Sequence, residues 1–217
     1  AIAVFLLSAQ AFAEPDGFSQ QTVLENLTQP VYLSVLPDGR MLVLEKQGEI
    51  LIFDPAEAPP ISTQRYLRIT NIEARQERGL TSIALDPDFE TNGYIYVYYT
   101  HGSSDRNRIS RFTHQGNTAD LGSELVIWED NEDWSECCHY GGGLGFGPDG
   151  KLYLTTGEEF DGAQSQNLSR AGGKIIRINK DGTIPSDNPF VDVNGALDEI
   201  WATGLRNPFR AYWDLPS

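Results

Sequence analysis

Basic side chains are scarce in this chain: 16 lysines and arginines stand against 31 aspartates and glutamates, a formal net charge of −15. A surface of that sign repels a phosphate backbone, so nucleic acid is excluded as a partner. Cysteine is limited to an adjacent pair, Cys137 and Cys138. Neighbouring cysteines close no loop and staple a fold poorly. Free or differently paired thiols are the favoured reading, with a strained vicinal disulfide left open. Three consecutive residues rarely aim at one tetrahedral ion, so Cys137-Cys138-His139 is not favoured as a metal cluster. Long apolar runs are missing after the first dozen residues, which leaves no candidate for a membrane-spanning helix. The remaining composition, 40% apolar and 22% charged, is that of a folded domain.

Residues Ala1 to Ala13 read as the apolar core and small-residue end of a secretory signal peptide, with Ala11 and Ala13 forming the cleavage motif. The run is too short to cross a bilayer. A leader remnant over 1–13 and a periplasmic or secreted protein are expected, with a buried first strand as the alternative. The missing initiator methionine suggests truncation at this end.

Glycine and proline punctuate short strands throughout. Pro37-Asp38-Gly39 precedes Arg40 to Leu44 and, after Gly48, Glu49 to Phe53. Gly93 precedes Tyr94 to Tyr99, followed by Asn107 to Phe112. Pro148-Asp149-Gly150 opens a third unit that ends with Gly173 to Ile178, and Asp214 to Ser217 resembles a fourth beginning. Strand units at this spacing suit propeller blades, which cannot bury both faces without neighbours. A β-sandwich is the alternative. The stretch Ile72 to Arg78 has room for a helical turn or two at most. Asp86, Asp88, Asn92 and Gly93 have some calcium-loop chemistry, but they lack the alternating oxygen ligands and terminal glutamate, so a turn is preferred.

One segment concentrates chemistry. His139, one of three histidines, precedes Gly141-Gly142-Gly143, a Pro-Asp-Gly turn and an alternating strand follow, and Glu158 stands past that strand's end. An imidazole beside a carboxylate is a general base with an orienting partner. The ordinary imidazole pKa of about 6.5 leaves a proton-accepting ring near neutral pH. The glycines make room for a flat ligand or a sugar, or merely permit tight turns. In a blade, the loops before and after a strand open at opposite ends, so the pair is expected to need inward reach. A second group, Glu199 to Arg210, offers Arg206 and Asn207. A planar guanidinium suits carboxylates and quinone oxygens, or a structural ion pair. Glu77 is placed on the same channel mouth, or on an ordinary charged surface.

Taken in order, Glu77-Arg78-Gly79-Leu80, Asp86-Pro87-Asp88-Phe89, His139 through Gly157, Gly172 to Ile178, Asp187 to Phe190 and Gly204 to Pro208 resemble the soluble glucose/sorbosone dehydrogenase family. The likeness extends to the hedgehog-interacting proteins. It implies an all-β, six-bladed β-propeller, of which residues 18–217 form the N-terminal half: three blades and the start of another. It implies oxidation of an aldose or related sugar with pyrroloquinoline quinone (PQQ) as hydride acceptor, calcium as a second cofactor, an external electron acceptor and a possible homodimer. By position, His139 matches the base, Glu158 the aspartate that orients it, and Arg206 with Asn207 the cofactor-facing pair. Glu77 falls where glucose-oxidising members commonly carry glutamine near the substrate. Leu205 replaces a frequent histidine, closer to the hedgehog-interacting branch. The metal ligands are not identifiable in this sequence. A non-catalytic extracellular propeller that binds protein or carbohydrate is the rival expectation.

Overall fold

The computed structural model describes residues 15–58, 61–130 and 138–213. The leader expected over 1–13, the repeat start at Asp214 to Ser217 and Cys137 lie outside them. Among the described residues, twelve strands form three four-stranded antiparallel sheets, each a meander in chain order. The first holds β1 (Pro30–Val35), β2 (Met41–Glu45), β3 (Glu49–Phe53) and β4 (Gln64–Arg68). The second holds β5 (Leu80–Leu85), β6 (Tyr94–His101), β7 (Arg106–Gln115) and β8 (Thr118–Glu129). The third holds β9 (Leu144–Phe146), β10 (Leu152–Thr155), β11 (Lys174–Ile178) and β12 (Ile200–Thr203).

The repeated Pro-Asp-Gly signal makes the same turn twice. Leu36 N–H donates to the Arg40 carbonyl at 2.8 Å, and Gly147 N–H to the Lys151 carbonyl at 2.9 Å. Gly39 and Gly150 sit at φ +91° and +72°, which glycine adopts without a Cβ clash. The second sheet differs. Its turn contains α1 (Phe89–Asn92), a single helical turn closed by the N–H of Gly93 on the Phe89 carbonyl at 2.7 Å. The helical turn allowed for Ile72 to Arg78 does not form there; that segment is a bend and turn. Asp86 spends its oxygens on the Asp88 N–H at 2.9 Å and the Tyr96 hydroxyl at 3.0 Å, and Lys180 bridges it to Asp88. The acidic loop is therefore a turn fastening that also joins the second sheet to the third.

The central strand β6 explains the stacking. Successive side chains of a strand point to opposite faces. Ile95, Val97 and Tyr99 enter one core with Leu42, Leu44, Ile50 and Ile52 of the first sheet. Tyr96 and Tyr98 enter the other with Leu152, Leu154, Ile176 and Ile178 of the third. Both faces of the second sheet are thus buried, which is why β6 reads as an unbroken apolar run. Each fully buried side chain of this size contributes roughly 1.5–3 kcal/mol relative to exposure. Three stacked layers replace the two of a sandwich. The leading strands lie side by side, β1 against β5 and β5 against β9, so the residues entering β9 face the inner edges of the other sheets. None of the helices among the described residues is long and apolar enough to cross a membrane.

Candidate active site

His139 precedes β9, and Glu158 follows β10. Because β9 and β10 are antiparallel, with Leu154 opposite Leu144, the entrance of one lies beside the exit of the other. Gly142 N–H donates to the Thr155 carbonyl at 3.0 Å, and Thr155 N–H to the Gly143 carbonyl at 2.8 Å, extending that pairing toward the site. The expectation that these loops open at opposite ends is corrected: it holds for the two ends of one strand, not for the paired ends of two neighbours. His139 Nδ1 meets Glu158 Oε1 at 2.5 Å, with both side chains buried. A carboxylate accepts, so Nδ1 carries the hydrogen, and in the neutral ring the lone pair then lies on Nε2.

The backbone at His139 is held as tightly as the ring. The residue sits in the left-handed region at φ +67°, uncommon without glycine. Its N–H donates to Glu77 Oε2 at 2.6 Å. Asn207 Oδ1 accepts the Gly141 N–H at 3.0 Å, while Asn207 Nδ2 approaches Glu77 Oε2 at 3.5 Å. Glu77 and Asn207 therefore bracket the histidine from both sides through main-chain contacts. Gly157 closes the rear: a Cβ there would lie 1.9 Å from the His139 carbonyl oxygen. The glycine run serves the same close packing. A Cβ on Gly141 would meet the Thr155 carbonyl at 2.3 Å, and one on Gly143 the Thr155 hydroxyl at 2.7 Å. Protein, not ligand space, fills the room those glycines leave.

Arg206 is exposed, and its carbonyl accepts the Glu158 N–H at 2.9 Å. With Glu158, Phe160, Ser165 and Leu205 it lines an open cleft of about 340 Å³. Glu158 Oε2 is buried there without a hydrogen-bond partner among the described residues, a polar group that awaits a donor. Lys174, fully buried, fixes the cleft's floor by donating to the carbonyls of Gln164, Ser165 and Gly172 at 2.8, 3.1 and 2.6 Å. Cys138, immediately before the histidine, is disulfide-bonded, which corrects the free-thiol part of the expectation.

Three contributors were not singled out from sequence. Arg78 is buried, donates to the Tyr140 hydroxyl at 2.6 Å and pairs with Asp105; burial, partly offset by that arginine, pushes the Tyr140 hydroxyl up to about 12. Arg210 donates to the carbonyls of Val31 at 2.7 Å, Thr81 at 3.3 Å and Gly142 at 3.4 Å. It thereby ties β1, β5 and the glycine run together. Burial lowers its pKa below the ordinary arginine value. Phe160 stacks on the His139 ring, with centroids 4.3 Å apart and planes 12° from parallel. Only Phe160 left a local signal, an aromatic inside the glycine-bounded acidic loop Gly157 to Gly162.

A family model for glucose / sorbosone dehydrogenases matches residues 27–216. This chain belongs to the glucose/sorbosone dehydrogenase family. It is 30% identical to quinoprotein glucose dehydrogenase B of Acinetobacter calcoaceticus, over 91% of this chain and 46% of that protein. It is 32% identical to human Hedgehog-interacting protein, over 91% of this chain and 32% of that one. The PQQ-bound aldose sugar dehydrogenase of Streptomyces coelicolor superposes with a TM-score of 0.74 at 31% identity, covering 86% of this chain and 54% of that structure. The chain spans about half the length of the two bacterial family members and a third of the human protein.

Proposed function

We propose that the whole protein is a PQQ-dependent dehydrogenase that oxidises a sugar hydroxyl or aldose. The observation that carries the reading is the buried contact of His139 Nδ1 with Glu158 Oε1 at 2.5 Å, beside a cleft edged by a guanidinium. Two features suit a planar, anionic quinone: Arg206 supplies a cation on the cleft wall, and the cleft volume is in the range of a small cofactor. When bound, such a quinone accepts hydride from the substrate carbon.

The chain's own residues handle the proton. Nε2 of His139 takes it from the substrate hydroxyl, while Glu158 holds the ring in the required tautomer and balances the imidazolium that results. Glu77 and Asn207 keep the main chain at His139 in place, which limits the reorganisation the reaction demands. Arg206 offers positive charge toward a carboxylate or quinone oxygen of the cofactor.

The same reading takes residues 18–217 as the first half of a six-bladed propeller. It takes 1–13 as the remnant of an export signal, hence a periplasmic or secreted protein. Calcium as a second cofactor, an external electron acceptor and a homodimer belong to it as well. A second reading, a non-catalytic propeller that binds protein or carbohydrate, is favoured by one observation: Phe160 covers the His139 ring. The test is reconstitution of the full-length protein with PQQ and calcium, followed by dye reduction across a sugar panel. Turnover abolished by His139→Ala supports the enzyme. No PQQ binding and no turnover in the wild-type protein supports the binder.

A further inference from the structure

His139 is absent from the lining of the cleft that holds Glu158 and Arg206; Phe160 lines it instead. Phe160 is 59% exposed, and its phenyl ring lies flat on the imidazole. Its centroid is also within 5.9 Å of the Arg206 guanidinium carbon. A single planar ring thus already occupies the place from which the histidine and the arginine are both within reach. The backbone beneath it is strained: Glu159 and Phe160 are consecutive non-glycine residues at φ +53° and +64°. An exposed aromatic held in place by strained backbone has little packing to lose on leaving.

We propose that Phe160 is a displaceable stand-in for the ligand ring: a planar, anionic ring cofactor takes its place against His139, within reach of Arg206. Loading and the stacked position of Phe160 are then mutually exclusive, and the base opens to the cleft only when the phenyl swings out. This rests on the quinone reading of the site, and it adds to that reading which residue must move.

The test uses the full-length apo-protein, its Phe160→Ala variant and its Phe160→Trp variant, which retains a stacking ring. Diethylpyrocarbonate modification, mapped by peptide mass spectrometry, reports access to His139, with His101 and His114 as internal references. His139 should react about tenfold faster in Phe160→Ala, the upper end of what a stacked aromatic pair holds, and as in wild type in Phe160→Trp. PQQ binding, followed by stopped-flow quenching of tryptophan fluorescence, should be faster in Phe160→Ala by a similar factor. Unchanged His139 reactivity in Phe160→Ala would overturn the proposal. So would faster modification with an unchanged rate of PQQ binding, because the phenyl would then cover the base without occupying the cofactor's place. If no protein binds PQQ while the reactivity difference persists, the quinone reading falls and displacement by it falls too, whereas Phe160 stands as the cover of the base.

Discussion

The carboxylate of Glu77 accepts the main-chain N–H of His139 at 2.6 Å across 62 residues of sequence. A side chain on the approach to the second sheet therefore sets the backbone of a residue at the entrance of the third. Its conformation at φ +67° depends on that acceptor.

Replacing Glu77 with alanine removes the acceptor and lets the imidazole drift. A displacement near 1 Å in a reacting group can cost about a hundredfold in rate, so kcat in the reconstituted full-length enzyme should fall roughly 10–100-fold with KM little changed. Glu77→Gln retains an acceptor oxygen and should recover most of the activity. A Glu77→Ala enzyme that raises KM alone would show that Glu77 acts on substrate instead.

Gly157 cannot carry a side chain where it stands, since the added Cβ would lie 1.9 Å from the His139 carbonyl and 3.0 Å from Asn207 Oδ1. Gly157→Ala should destabilise the protein by about 1–3 kcal/mol through overpacking. It should also disturb the His139–Glu158 contact. Urea denaturation gives the first quantity. A stability within error of wild type would show that the two loops separate freely.

The buried tyrosines set an alkaline limit. Burial pushes the Tyr99 hydroxyl up to about 12, and it raises Tyr98 well above the ordinary value of 10.0. Tyr96 is raised as well, by burial and then by the neighbouring Asp86. The folded state keeps these protons at pH values where the unfolded chain releases them. Their contribution is therefore intact below about pH 10 and is lost as pH climbs from 10 through 12. Urea midpoints measured at pH 9, 10, 11 and 12 should hold over the first step and fall across the last two. A flat profile would contradict the burial of these hydroxyls.

The sheets were legible in the sequence because their signals are local. Gly39 and Gly150 announce turns that their own backbone angles require, and the short apolar runs of β2 and β3 between those turns need no distant partner to be read. The His139–Glu158 pair was legible as chemistry, but its geometry was misjudged, because antiparallel pairing brings an entrance and an exit together. The clamp by Glu77 and Asn207 was not legible in the same way. Both residues stood out by type, yet their contacts are to main-chain N–H groups 62 and 66 residues away, and no side-chain pattern reports on those. Likewise, the glycine run suggested ligand space, whereas the space is taken by Thr155, a residue that only strand pairing puts there.

The reach of Arg210 has a consequence for how the fold assembles. Each sheet closes through neighbours along the chain, whereas the Arg210 guanidinium meets the Val31 carbonyl over 179 residues and the Thr81 carbonyl over 129. Contacts of such separation wait until the intervening chain is ordered. The three sheets are thus expected to form as separate units, and the tie between their inner strands to close after the rate-limiting barrier. Arg210→Ala should accelerate unfolding, by roughly tenfold or more, and leave the refolding rate nearly unchanged. Equal effects on both limbs of a chevron would place the tie in the folding nucleus. A clamp made last is also the first to open, so the junction at Arg210 is where the native protein should begin to come apart.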